Sequence, residues 1–120
     1  MKIREDYTCP LEIVHDIVKG KWKTVILFQL KNGPVSLSEL QHKIKGISQK
    51  MLLEQLRELQ QFGLVEKTKY SGYPLHVEYF LSKNRGVRIQ DALKIMQEIG
   101  IEYMLENGME EDLRCKGVIP

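Results

Sequence analysis

The sequence predicts an α+β fold, mostly helical, and three observations carry that prediction. Amphipathic helical segments follow one another between Pro10 and Gly63. After Gly63 the apolar spacing changes from the helical period to the alternation of strands, in two short runs joined by Ser71-Gly72-Tyr73-Pro74. A long segment with apolar residues from Val87 to Met104 then closes the pattern.

The first helix follows Cys9-Pro10, with proline suited to a first helical position, and carries Leu11, Ile13, Val14, Ile17 and Val18 as far as Gly20. A second spans Lys21 to Lys31, with Trp22, Val25, Ile26 and Leu30 at helical spacing, and stops at Asn32-Gly33-Pro34. Ser36-Leu37-Ser38-Glu39 has the form of a capping box, so a short third helix should carry Leu37, Leu40 and Ile44. Lys45-Gly46-Ile47 breaks the period, and Ser48 caps a fourth helix whose stripe is Leu52, Leu56 and Leu59, closed by Gly63. Two helices joined by so short a turn, the second polar on its outer side, have the form of a helix-turn-helix. Residues 64–70 and 75–81 then pair as a β-hairpin, the wing of a winged helix-turn-helix.

From Asn84 onward Val87, Ile89, Ala92, Leu93, Ile95, Met96, Ile99, Tyr103 and Met104 give one helix more apolar surface than a small core needs. The N- and C-terminal helices are therefore expected to form a dimer interface. A length of 120 residues fits a single domain over 1–120, its core about 8–102, with 107–120 a loosely held tail.

Composition excludes several classes. Apolar residues at 42% and charged residues at 28% describe an ordinary globular chain. No apolar run approaches the roughly 20 residues of a membrane span, and residues 1–8 lack a signal-peptide core, so a cytoplasmic location and no membrane partner are expected. Cys9 and Cys115 stand near opposite ends, neither a disulfide framework nor a zinc spacing, and both are expected as thiols. His15, His42 and His76 are scattered, so neither metal nor cofactor is expected. The net charge of +2 hides an asymmetry: Lys19 to Arg88 holds 13 Lys and Arg against 5 Asp and Glu, or +8, and the remainder is −6. A basic middle fits a polyanionic partner such as double-stranded DNA, although ordinary solvated surfaces also carry such charge.

On the fourth helix Gln49, Lys50, Leu53, Glu54 and Arg57 lie off the apolar stripe. Gln suits adenine and Lys suits guanine in the major groove, so Gln49 and Lys50 are the foremost base-reading candidates. Ser48 caps the helix or donates to a phosphate. A polar face that simply keeps the helix solvated is the plainer alternative. On the hairpin, Lys67, Lys69, Tyr70, Tyr73 and His76 are candidates for phosphate or minor-groove contact, against a merely solvated hairpin. Lys19, Lys21 and Lys23 surround Trp22, itself expected in the core, and Lys21 is the one singled out for a phosphate.

Cys9 lies at the start of the first helix, where unpaired amides and the helix dipole favour a thiolate, which would suit a redox or electrophile sensor. An unreactive reduced thiol is the alternative. An enzymatic reading, Cys9 as nucleophile and His15 as base, fails on geometry, because side chains six apart on a helix point to different faces. No phosphate loop, nucleophile elbow or acid pair is present, and the chain is not expected to be an enzyme.

In order and spacing, Cys9-Pro10, Gly20-Lys21-Trp22, Ile26-Leu27, Glu39-Leu40, Gly46-Ile47-Ser48, Lys50-Met51-Leu52, Leu56-Arg57-Glu58-Leu59, Gly63-Leu64 and Val77-Glu78-Tyr79 resemble the HxlR family of winged-helix transcriptional regulators, over about Thr8 to Glu102. The resemblance implies a bacterial homodimer whose terminal helices pair, whose fourth helix enters the major groove and whose wing meets the flanking backbone. It also implies a reactive thiol at Cys9, as in redox-sensing members. Ser36-Leu37 replaces the family's Arg-Phe, Ile99 its late tryptophan, and one extra residue lies between Ser82 and Gly86. The expected activity is repression at a palindromic operator by a thiol- or ligand-responsive regulator. A winged-helix module that binds a protein partner is the alternative.

Overall fold

The computed structural model describes residues 3–72, 74 and 76–120. Along the described residues the elements are α1 (Leu11–Val18), α2 (Lys23–Gln29), β1 (Val35–Ser36), α3 (Leu37–Lys43), α4 (Gln49–Gln61), β2 (Val65–Tyr70), β3 (His76–Leu81), α5 (Arg85–Glu106) and α6 (Glu110–Cys115). The chain divides into two compact units, one up to Gln90 and one from Asp91.

In the first unit the apolar stripes read from the sequence become the core. Ile26, Leu27 and Leu30 from the second helical segment, Leu40 from α3, and Leu52, Leu56 and Leu59 from α4 are all essentially inaccessible. Burying each such side chain contributes about 1.5–3 kcal/mol, and this offsets the modest intrinsic stability of helices as short as α2 and α3. Ile44 and Ile47 are buried in the turn between α3 and α4, so that turn is anchored at both ends. Gly46 between them has φ +89°, a conformation that side chains with a Cβ adopt rarely. The helix-turn-helix geometry depends on it.

The three-stranded sheet has the order β1-β3-β2, antiparallel throughout. In β2 and β3 the register runs from Val65 opposite Leu81 to Tyr70 opposite His76. β1 pairs Val35 with Tyr79 and Ser36 with Glu78. No sequence pattern announced β1, because two residues are too few for an alternation; it exists only through its partner strand. Val65 is buried whereas residues 66–70 of β2 are all exposed; on β3 only His76 is exposed, Val77 and Glu78 are half-buried and Tyr79 is buried.

A compact junction closes the hairpin. Ser82 Oγ donates to the Gly63 carbonyl at 2.7 Å and accepts from the Gly86 amide at 2.8 Å. A Cβ on Gly86 would lie 2.3 Å from the Leu64 carbonyl oxygen, so glycine is required for this close approach.

One expectation is corrected here. The second helix is shorter than Lys21 to Lys31, because Trp22 forms its N-cap without a side-chain cap bond. The stretch read as a loosely held tail contains α6. Its first turn is acidic (Glu110, Glu111, Asp112), Arg114 pairs with Glu110 at 2.8 Å, and Leu113 is buried within the second unit. Six residues show no stripe in a sequence; ion pairs four apart and one buried leucine are enough to hold the turn once a surface is present.

The apolar residues of α5 form two sets. Leu93 is buried and Ile101 and Met104 half-buried, whereas Ile95, Met96, Ile99 and Tyr103 are 57–64% exposed along one side. None of the described helices is long and apolar enough to cross a membrane.

Candidate nucleic-acid interface

α4 begins as its sequence requires: Ser48 Oγ accepts from the Met51 amide at 3.1 Å. The cap occupies an oxygen lone pair and leaves the hydroxyl proton available to an acceptor. Gln49 and Lys50 in the first turn and Arg57 two turns on are exposed, and Leu53 and Glu54 are half-buried. At 100° per residue, Lys50, Glu54 and Arg57 share the side opposite Leu52, Leu56 and Leu59, with Gln49 and Leu53 on one flank. The remaining flank faces the chain's own contacts: Gln55 Nε2 donates to Met51 Sδ at 3.3 Å, and Glu58 is ion-paired with Lys23 of α2. That ammonium holds the Glu58 carboxyl below the usual carboxylate range, against the opposing effect of partial burial.

The basic residues around Trp22 therefore separate. Lys23 is 5% exposed and committed to Glu58, which removes it from the phosphate candidates. Lys19 lies 3.7 Å from Asp16. Lys21 is exposed, its Nζ 4.6 Å above the Trp22 ring. Trp22 is half-buried, with Cη2 3.9 Å from where a Gly46 Cβ would sit, and so it supports the turn that leads into α4. Lys43 and Lys45, exposed at the end of α3 and in that turn, add two charges near the α4 N-terminus that the sequence reading did not single out. Their signal was the pair of lysines at 43 and 45, just ahead of Gly46.

On the hairpin, register sets Lys67 and Lys69 on one face with Val65, Val77 and Tyr79, and Tyr70 and His76 on the other with Thr68 and Glu78. The four candidates do not form one patch. Tyr70 Oη donates to Glu78 Oε1 at 3.1 Å, His76 Nε2 lies 3.0 Å from Glu78 Oε2, and the Tyr70 and His76 rings are 5.5 Å apart. His76, then Tyr70, hold the Glu78 carboxyl below its ordinary range, and Glu78 in turn pushes the Tyr70 phenol up. Glu78, part of the Val77-Glu78-Tyr79 stretch, was not among the residues expected to contact DNA. Tyr73 and Leu75 lie outside the described residues.

Cys9 is exposed, and its amide donates to Glu12 Oε1 at 2.7 Å. Arg4 bonds Asp16 at 2.6 Å and pairs with Glu12 at 3.2 Å, so an arginine ahead of α1 braces the turn that holds Cys9. Cys115 is also exposed. Among the described residues no group of three or more His, Cys, Asp or Glu is placed to hold a metal ion.

The HxlR-like helix-turn-helix family matches residues 17–108, which include every element from α2 to α5. The chain belongs to that family. The HTH-type transcriptional regulator YkvN of Bacillus subtilis (strain 168) is 39% identical over 94 residues, 78% of this chain and 75% of YkvN. An HTH-type regulator of Methanothermobacter thermautotrophicus is 35% identical over 99 residues, 82% of this chain and 75% of that protein. Among solved structures, the redox regulator HypR in its reduced form superposes with a TM-score of 0.76 at 32% identity, covering 82% of this chain and 99% of HypR. This HxlR-type chain is thus a DNA-binding transcriptional regulator with a winged helix-turn-helix, and not an enzyme.

Proposed function

We propose that this HxlR-type regulator is a cytoplasmic repressor that binds a palindromic operator as a homodimer and is released by chemistry at Cys9. The observation that carries the DNA reading is the state of α4: capped at Ser48, buried through its leucines, held on one flank by Lys23, and open over Gln49, Lys50 and Arg57. Gln49 and Lys50 meet base edges, Leu53 and Glu54 border the same groove, and Arg57 and Ser48 meet the backbone. Lys21 adds a phosphate contact. Lys67 and Lys69 lie along a phosphate strand on one side of the wing, with Tyr70 and His76 turned to the other.

Dimerisation rests on the exposed side of α5, where Ile95, Met96, Ile99 and Tyr103 leave a continuous apolar strip in water. Two-fold symmetry in the protein then asks for two half-sites about one helical turn, or a multiple of it, apart.

The response to oxidants or electrophiles rests on the exposed Cys9 thiol at the start of α1 and on the likeness to HypR, a redox regulator whose oxidised form also superposes on this chain with a TM-score of 0.73. Footprinting on the DNA upstream of its own gene, followed by mobility shifts with and without diamide, tests the whole reading. A protected inverted repeat, released by diamide in wild type and retained in Cys9→Ser, is the expected result. Protection without symmetry counts against the dimer, and full release of Cys9→Ser counts against the thiol.

A further inference from the structure

An acidic residue on a hairpin that meets a polyanion needs a reason, and Glu78 has one in its contacts. Past Glu78, the last residue that β1 pairs, the hairpin is a two-stranded ribbon whose β2 side, residues 66–70, is exposed, and such a ribbon in water is marginal without cross-strand side-chain pairs. Tyr70 opposite His76 is the last registered pair before the turn. Glu78 stands one same-face position further in, directly between Ser36 of β1 and Thr68 of β2. One of its oxygens accepts from Tyr70 Oη at 3.1 Å and the other meets His76 Nε2 at 3.0 Å. A single carboxylate on the central strand thus ties both members of the terminal pair, whose rings are tilted together at 40°. His76 and Val77 also border, with Ser36, Leu37 and Ser38, a surface groove between the hairpin and α3, so fixing the His76 ring fixes one wall of that groove.

We propose that Glu78 is a positioning residue for DNA binding, holding Tyr70 and His76 as one preordered face of the wing. The inference rests on the reading that this wing meets DNA, and it assigns Glu78 no contact with DNA itself. Preordering lowers the conformational entropy lost on binding, and this outweighs the repulsion between a carboxylate partnered by His76 and the phosphates. The two effects have opposite signs on truncation, which makes them separable. If Glu78 acted only by charge, any neutral replacement would tighten binding; if it positions, only a replacement that keeps both hydrogen bonds preserves it.

The experiment compares wild type, Glu78→Ala and Glu78→Gln by fluorescence anisotropy on a mixed-sequence duplex at low salt, since wing contacts to the backbone do not depend on sequence. Ring resonances of Tyr70 and His76 are followed by NMR in the DNA-free protein. Glutamine can accept from Tyr70 and donate to His76. Glu78→Ala is expected to weaken binding about three- to tenfold, the loss of two exposed hydrogen bonds, and Glu78→Gln to restore it to wild type or better. In free Glu78→Ala the two rings should move to averaged shifts while the core resonances stay. Equal or tighter binding by Glu78→Ala, failure of glutamine to rescue, or unchanged rings in free Glu78→Ala each overturns the proposal. Absence of wild-type binding to any duplex overturns the DNA reading instead, and the ring resonances still decide whether Glu78 orders the hairpin.

Discussion

Lys23, buried in α2, is ion-paired through its ammonium with the Glu58 carboxylate on α4. The pair joins the helix that precedes the helix-turn-helix to the helix whose far side is open, and so fixes the angle at which α4 presents Lys50 and Arg57. Replacing Lys23 by Met keeps the aliphatic stem and removes the ammonium from beside the Glu58 carboxylate. The expected loss is about 2 kcal/mol, below the 3–5 typical of a fully buried pair because Glu58 remains 28% exposed. Urea unfolding at neutral pH measures it. Glu58 is more acidic in the folded state than unfolded, so its contribution is present above the unfolded value near 4.3 and is lost as pH falls through the lower folded one. The gap between wild type and Lys23→Met should therefore narrow as pH drops below about 4.

Gly86→Ala is expected to destabilise by about 2–3 kcal/mol or more, since the new methyl would lie 2.3 Å from the Leu64 carbonyl and 3.0 Å from Leu81 Cβ. Backbone, not a flexible side-chain end, is in the way. A urea midpoint unchanged from wild type would show that the α5 start can slide away from the sheet at no cost.

Lys50→Ala and Gln49→Ala should each lower operator affinity by about 1–3 kcal/mol and relax sequence preference at one base pair per half-site. Lys67→Ala should instead weaken binding evenly across sequences and reduce the salt slope by about one. Anisotropy titrations over a salt series distinguish the two patterns. A uniform loss on replacing Lys50 would move it from the reading face to the backbone.

Ile99→Glu places a charge in the exposed strip of α5, where Ile99 itself is 59% exposed and therefore costs the isolated fold little. Sedimentation velocity is expected to show half the wild-type mass, with the far-UV spectrum retained. An unchanged mass would shift the dimer surface elsewhere.

Local chemistry was readable without coordinates wherever a pattern was long enough to be a pattern. The stripe Leu52, Leu56 and Leu59, the Ser48 cap, the turn at Gly46 and the alternation of Val77, Tyr79 and Leu81 each state their own geometry, because 3.6-residue and two-residue periods select which side chains can be buried together. From these came the helix-turn-helix, the hairpin and the open face of α4. What folding alone decided were relationships between segments distant in sequence. Lys23 and Glu58 lie 35 positions apart and give no sign of pairing; adjacent lysines at 19, 21 and 23 look alike until one is buried. β1 needs β3 to exist, and Glu78 becomes a support only when register brings Tyr70 and His76 to it. The physical reason is common to all three: a period reports which face of its own segment a residue occupies, whereas a partner is chosen by packing, register and desolvation, which arise only when the segments meet.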